Sequence, residues 1–173
     1  MTAAPVLDVE RFTQVHDRYF PDIHRYVAGR LGAQAAEDVA AETFLVAFDR
    51  RKAFDPTRGD LRAWLFGIAT NLVSRHRRKE ARHYRALSRL EPREVAEGHE
   101  SRVVDSVVAA RVGKALSRLS AGERDVLLLV ALGDLGYAEV AEALGISTGT
   151  VGSRLTRARK KLNPVLSQEV SDE

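Results

Sequence analysis

The stretch that most constrains this chain is residues 137–162, YAEVAEALGISTGTVGSRLTRARKKL, which has the pattern of a helix-turn-helix. Apolar residues share one face of a short first helix, namely Val140, Ala141 and Leu144. Gly145 follows, at a point where a tight turn needs a residue that accepts positive φ. Ser147 or Thr148 can then cap a second helix, because a side-chain oxygen there accepts from a free backbone N–H.

The second predicted helix has one apolar and one basic face. Its apolar residues recur at helical spacing, at Val151, Leu155, Ala158 and Leu162. The opposite face carries Thr150, Ser153, Arg154, Arg157 and Lys161. Residues 148–162 hold five Arg or Lys and no acid, whereas a merely solvated helix usually mixes both signs. This favours a helix lying in a DNA major groove; the alternative is an αα-hairpin with a solvated basic face.

Composition excludes several kinds of site. The chain has 173 residues and no cysteine, so disulfides, thiolate metal sites and thiol nucleophiles are excluded. The N-terminal sequence has no apolar run preceded by positive charge, and no stretch approaches ~18 consecutive apolar residues. We therefore expect a cytoplasmic protein without a signal peptide, without membrane insertion, and with neither a cofactor nor a metal.

The N-terminal half has the pattern of three helices and a loop. Residues 8–31 form a helix or a helix pair divided at Pro21, and residues 34–51 and about 61–85 form two more. Residues 54–60, FDPTRGD, have the chemistry of a turn. Asp38, Glu42 and Asp49 share part of one outer surface, where ordinary solvation is the simplest explanation from the residues alone. Trp64 lies in the apolar stripe of the third helix, which favours a core role.

The second half of the third helix is basic. Residues 75–85 hold six Arg or Lys, more than complementing a helix dipole requires, which favours contact with nucleic acid. Asn71, Arg75, Arg78 and Arg82 share a face. We predict an all-α fold with two small helical domains, at 8–85 and 104–166, joined by a polar, flexible linker at 86–103. Ser120 and Glu123 form a capping box in the second domain.

Four segments together resemble a bacterial sigma factor of the extracytoplasmic-function (ECF) kind. The resemblance covers nearly the whole chain, and the segments occur in the family's order and spacing. They are AEDVAAETFLVAFDR (36–50), RAWLFGIATNLVSRHRRK (62–79), LSAGERDVLLLV (119–130) and YAEVAEALGISTGTVGSRLTRARKKL (137–162).

The resemblance implies a non-enzymatic subunit that binds core RNA polymerase and directs it to promoters. In this family the helix that matches Asp38, Glu42, Leu45 and Asp49 docks on a coiled-coil of the polymerase's largest subunit, and the C-terminal domain is expected at the flap region. The family also implies an anti-sigma factor as a partner, which would hold the two halves together and hide both DNA-binding faces.

The resemblance also assigns DNA contacts. The segment matching 54–71 engages the minus-ten element, where a base is flipped out of the duplex. Phe54 would wall that pocket and Asn71 would pair with a base edge. Phosphates would be held by Arg75, Arg77, Arg78 and Lys79.

The helix-turn-helix would read the minus-thirty-five element. Backbone N–H groups around Thr148 and Thr150 would take a phosphate. The expected groove-facing residues are Ser153, Arg154, Thr156, Arg157 and Lys161, with Arg157 the best candidate for reading guanine. Family members usually have Lys or Arg at the position of Gly152, and glycine there costs about 0.8–1.0 kcal/mol of helix stability relative to alanine.

Three other functions compete with this interpretation. An autonomous helix-turn-helix regulator would need a ligand-binding or receiver domain, for which the N-terminal half shows no signal. A helical hydrolase would need a nucleophile or a metal cluster, and the five histidines show no HExxH spacing. An RNA-binding scaffold would use the basic third helix, and competition between duplex DNA and RNA would distinguish it.

Overall fold

The computed structural model describes residues 7–88 and 111–167, and these residues contain helices and no strand. The N-terminal unit consists of α1 (Val9–Leu31), α2 (Ala33–Asp49), a single 3-10 turn (Arg51–Ala53) and α3 (Leu61–Ser88). In the C-terminal unit, residues 111–117 are helical and are called α4. They are followed by α5 (Ala121–Ala131), α6 (Tyr137–Leu144) and α7 (Thr148–Ser167). The predicted all-α fold is confirmed.

Helix α1 is continuous, so the alternative of a helix pair divided at Pro21 is wrong. Pro21 lies inside the helix and is exposed. Asp8 caps the start by accepting from the backbone N–H of Arg11 at 2.8 Å. Gly32, at φ 86°, ends the helix and donates its backbone N–H to the Ala28 carbonyl. Apolar residues on both sides of Pro21, among them Phe12 and Ile23, are buried in the same core cluster.

The helix-turn-helix has the predicted geometry. Gly145 adopts φ 64° and ψ 36°, the left-handed conformation that ends α6. Ser147, rather than Thr148, caps α7, because its Oγ accepts from the backbone N–H of Thr150 at 3.1 Å. The predicted capping box is also present, with Ser120 Oγ accepting from the Glu123 N–H and the Glu123 side chain accepting from the Ser120 N–H.

One hydrophobic core runs through both units. In the N-terminal unit it contains Ile23, Tyr26 and Phe66, all fully buried. The same cluster continues through α5, α6 and α7, where Leu129 and Val140 are fully buried. The predicted linker lies outside the described residues from residue 89 to residue 103. No helix in the described ranges is both long and apolar enough to cross a membrane.

The left-handed turn at Gly145 generates a stability prediction. Gly145→Ala is expected to lower the free energy of unfolding by about 1–2 kcal/mol, because an L residue is strained at positive φ. Gly145→Asn is expected to cost less, since asparagine tolerates this conformation. Urea denaturation would measure both.

Gly113→Ala is the matched control, because Gly113 is helical and a Cβ there would meet nothing within 4 Å. It should leave stability unchanged or raise it. Equal losses for the Ala and Asn variants at residue 145 would contradict the role of the positive φ.

Candidate nucleic-acid and protein interfaces

The polar face of α7 is accessible to a large ligand. Its predicted contact residues are exposed or half-buried, with Arg154 and Thr150 the more covered ones; the set is Thr148, Thr150, Ser153, Arg154, Thr156, Arg157 and Lys161. Val151, Leu155 and Ala158, on the opposite face, are fully buried or nearly so. The core therefore fixes the rotation of α7 and directs its basic face outward.

Several of these side chains donate hydrogen bonds to backbone carbonyls of the preceding turn of α7. Ser153 Oγ donates to the Thr150 carbonyl at 3.1 Å, and Thr156 Oγ1 donates to the Gly152 carbonyl at 3.0 Å. Arg157 Nε donates to the Ser153 carbonyl at 3.3 Å. A Cβ on Gly152 would meet nothing within 4 Å, so space does not require glycine there.

Glu123 links the start of α5 to the basic face of α7, a contact that the sequence did not predict beyond the capping box. Its carboxylate accepts from Lys161 Nζ at 2.7 Å and lies 4.0 Å from Arg157 Nε. The carboxylate is 6% exposed. The Lys161 hydrogen bond, followed by the Ser120 backbone N–H, lowers the pKa of Glu123. Glu123 therefore holds Lys161 in place through its charged form, with Arg157 at the edge of ion-pair distance.

One face of α2 presents acids around an apolar residue. Asp38, Glu42, Leu45 and Asp49 are all exposed and follow one another at helical spacing. Leu45 is 66% exposed, although a leucine in a helix of this length is usually buried. The opposite face of α2 packs into the core through Val39, Phe44 and their neighbours. This acidic-apolar face is complementary in charge to a basic partner surface that offers an apolar contact at its centre.

The loop between α2 and α3 forms a cavity of about 320 Å³, lined by Ala53, Phe54, Asp55, Arg58, Gly59, Trp64 and Glu142. The Phe54 and Trp64 rings lie with centroids 5.1 Å apart. Trp64 is half-buried, so the predicted core role is only partly right: its indole packs on the core and also walls the cavity. Asp60 caps α3 by accepting from the Arg62 N–H at 2.8 Å.

The basic part of α3 divides into exposed cations and one half-buried arginine. Asn71, Arg75, Arg78 and Lys79 are exposed. Arg77 instead donates to the Arg30 carbonyl at 2.8 Å, which satisfies a carbonyl at the end of α1. Burial, and then the nearby charges of Arg30 and Arg124, lower the pKa of Arg77. Within the described ranges, no group of three His, Cys, Asp or Glu residues is arranged to hold a metal.

Two family models match the two units in order. Residues 15–83 match the model described as Sigma-70 region 2, and residues 109–162 match Sigma-70, region 4. The chain belongs to the sigma-70 family. Relatives place this sigma factor in the ECF group, whose members act in transcription initiation. SigW of Bacillus subtilis is 30% identical over 92% of this chain and 90% of its own length.

Two further relatives agree with this assignment. CnrH of Cupriavidus metallidurans is 33% identical over 77% of this chain and 74% of its own length. BldN of Streptomyces coelicolor, an ECF RNA polymerase sigma factor, is 30% identical over 94% of this chain, which spans 62% of BldN.

Solved structures support the fold along nearly the whole chain. CnrH in complex with the cytosolic domain of CnrY is 28% identical, with a TM-score of 0.66 over 93% of this chain and 90% of that one. RpoE of Bartonella quintana in complex with the anti-sigma factor NepR is 25% identical, with a TM-score of 0.67 over 95% of this chain and 100% of that one. Both neighbours are sigma factors, and the partner bound to RpoE is an anti-sigma factor.

The Glu123 contacts predict a pH-dependent contribution to stability. The contribution is complete above the ordinary glutamate pKa of about 4.3 and is lost as the pH falls through the lower pKa of the folded state. Glu123→Gln removes the charge at every pH. Urea midpoints should therefore differ between wild type and variant at pH 7, and the difference should shrink below pH 4. A difference that is constant from pH 3 to pH 7 would contradict the ionic role.

Proposed function

We propose that this sigma factor binds core RNA polymerase through the acidic-apolar face of α2. The surface is exposed and is made of Asp38, Glu42, Leu45 and Asp49. Carboxylates around an apolar centre suit a partner with Arg or Lys beside an apolar contact, and the resemblance identifies that partner as the coiled-coil of the largest polymerase subunit. The C-terminal unit would contact the flap region.

The loop before α3 is the proposed minus-ten site. Its cavity has two aromatic walls, which suit the stacking of a base released from the duplex. Asn71 is exposed on α3, where its amide can both donate to and accept from a base edge. Arg75, Arg78 and Lys79 would hold phosphates from the same helix. Arg77 can join them only by leaving the Arg30 carbonyl.

Helix α7 is the proposed reader of the minus-thirty-five duplex. Its N-terminus would take a phosphate on the backbone N–H groups near Thr148 and Thr150. Ser153, Thr156 and Arg157 lie on the exposed face, with Arg154 and Lys161 beside them. Arg157 is 60% exposed and would read guanine through its guanidinium. Gly152 permits a close approach of DNA to the helix backbone.

We propose that a partner protein regulates this sigma factor and that the sigma factor itself catalyses no reaction. The protein would act in the cytoplasm as a specificity subunit, leaving the chemistry to the polymerase. An anti-sigma factor is a candidate partner, because the similar structure of RpoE was solved with the anti-sigma factor NepR bound.

The observation that most strongly supports this function is the exposure of the α2 face together with the exposed basic face of α7 on one folded chain. Run-off transcription with core polymerase, on fragmented DNA from the source organism, would test it. The protein should produce new, discrete transcripts. If core polymerase neither binds it nor gains a start site, the sigma role is wrong, and an autonomous DNA-binding regulator would remain.

Leu45→Ser should abolish most of that transcription and weaken core binding at least tenfold, since an anchor at an interface centre is commonly worth 2 kcal/mol or more. Its folding stability should be nearly unchanged, because the side chain is 66% exposed. Val9→Ser is the matched control: Val9 is 62% exposed but lies on α1, outside the proposed surface. The affinity of each labelled variant for core polymerase would be measured. If the two substitutions weaken binding equally, Leu45 does not lie in the interface.

The phosphate contacts predict a salt dependence. With holoenzyme on promoter DNA, Arg78→Ala should reduce the slope of log K against log salt by about 0.7–0.9, the value for one phosphate contact. Arg77→Ala should do the same and also lower stability by about 1 kcal/mol, because the bond to the Arg30 carbonyl is lost. Arg11→Ala, an exposed cation on α1, is the control. An unchanged slope would remove the tested arginine from the phosphate contacts.

A further inference from the structure

The first turn of α5 lies beside one flank of α7, the helix that is proposed to read duplex DNA. Glu123 Oε2 accepts from Lys161 Nζ at 2.7 Å, and Glu123 Oε1 lies 4.0 Å from Arg157 Nε. A Cβ added to Gly122 would lie 2.8 Å from the guanidinium carbon of Arg154. These three cations follow one another at helical spacing along α7. One turn of α5 therefore contacts or closely approaches all three of them.

The carboxylate of Glu123 is held in place by its own helix. The backbone N–H of Ser120 donates to Glu123 Oε2 at 3.0 Å, and the backbone N–H of Glu123 donates to Ser120 Oγ at 3.2 Å. A carboxylate oxygen can accept two hydrogen bonds, so Oε2 serves the cap and Lys161 at once. Because the capping box already fixes the acceptor, most of the entropy lost in forming the ion pair is that of the lysine.

The ion pair between Glu123 and Lys161 is more persistent than an ordinary surface pair. The Glu123 side chain is 6% exposed, whereas that of Lys161 is 44% exposed. The Lys161 hydrogen bond is the largest cause of the lowered pKa of Glu123, so the carboxylate is charged at neutral pH. Removing the lysine would leave this charge nearly out of reach of water, which is costly. A fully exposed pair separates far more easily.

The rotation of α7 directs Lys161 toward the DNA backbone rather than toward the bases. Val151 and Leu155 are buried and fix the side of the helix that faces the core. Ser153 lies on the opposite, exposed side. At 3.6 residues per turn, Lys161 lies about 80° round the helix from Ser153, on the flank beside α5. A helix that turns Ser153 into the major groove therefore carries Lys161 along the edge of the groove, where the phosphates are.

We infer that Glu123 withholds Lys161 from DNA phosphates, so that α7 contacts duplex DNA chiefly through the residues that face the groove. The inference rests on the proposed reading of duplex DNA by α7. Glu123 is a positioning residue here, since it affects DNA only through a side chain of α7. It reduces the phosphate contribution on every sequence alike and leaves the base contacts to distinguish a promoter from other DNA.

The first test examines the ion pair without DNA. Glu123→Gln removes the charge and keeps the capping box, because glutamine can also accept from the N-cap N–H. In a double-mutant cycle with Lys161→Gln, followed by urea denaturation of the full chain at pH 7, the coupling should be about two- to tenfold in the unfolding equilibrium constant.

Lys160→Gln is the matched control for this cycle. Lys160 is the neighbouring lysine on α7 and is also exposed. It should show no coupling to Glu123. Equal coupling for the two lysines, or none for Lys161, would overturn the inference.

The second test is the salt dependence of binding to a fluorescent duplex of scrambled sequence, measured by anisotropy with the full chain. Lys161→Gln alone should leave the slope of log K against log salt unchanged, because the lysine is already neutralised. Glu123→Gln should steepen the slope by about 0.9, the value for one phosphate contact on duplex DNA. The double variant should return to the wild-type slope. Glu10→Gln is the control, since it adds the same net charge on the exposed first turn of α1 and should steepen the slope less.

Two results of the salt experiment would contradict the inference. A flatter slope for Lys161→Gln alone would mean that Lys161 holds a phosphate in spite of Glu123. An unchanged slope for Glu123→Gln would mean that the released lysine does not reach DNA.

Arg157→Gln tests the proposed function separately. It should weaken binding to a duplex carrying the minus-thirty-five element of a mapped promoter about five- to hundredfold, and binding to the scrambled duplex much less. Equal losses on the two duplexes, with the slopes of the Glu123 and Lys161 variants as expected, would overturn only the minus-thirty-five role of α7.

Discussion

Helix α3 is the element on which the rest of this structure depends. Its first half is buried on almost every side, with Ala63, Leu65, Phe66 and Ala69 fully inaccessible. A helix that is apolar all round needs cover on all sides, and α1 and α2 provide only part of it. The remaining side is covered by α6 of the C-terminal unit, through Gly67 and Arg62. The second half of the same helix carries the exposed cations that are proposed to hold DNA phosphates.

The contact between the units combines close packing with polar groups that water can replace. Gly67 brings two helix backbones together, and Gly29 leaves room for the side chain of Leu132. Around these points the bonds come from Arg62, Glu139 and Glu142. The hydrophobic core continues beneath these polar groups, because one cluster contains both Ile23 of α1 and Leu129 of α5. The contact between the units is therefore stabilised by apolar burial as well as by hydrogen bonds.

The features that could be predicted from the sequence are those that depend on interactions between residues no more than about four positions apart in the chain. The turn at Gly145, the capping box at Ser120 and the apolar face of α7 all depend on near neighbours and occur as expected. The roles of Arg77 and Trp64 were less predictable, because Arg77 binds a carbonyl 47 residues away. The bond from Asp60 to Glu142 spans 82 residues. Periodicity shows that Glu142 is exposed on its own helix but says nothing about the loop it meets.

Two carboxylates lie beside the surfaces that are proposed to bind DNA. Glu123 pairs with Lys161 beside the recognition face, and Glu142 accepts from the minus-ten loop. A phosphate that approaches Lys161 would compete with the Glu123 carboxylate, so the net gain from that contact is smaller than for a free cation. Non-specific DNA binds through its phosphates alone, and this competition lowers its affinity. Promoter DNA meets the same competition, so a preference for a promoter has to come from its base contacts.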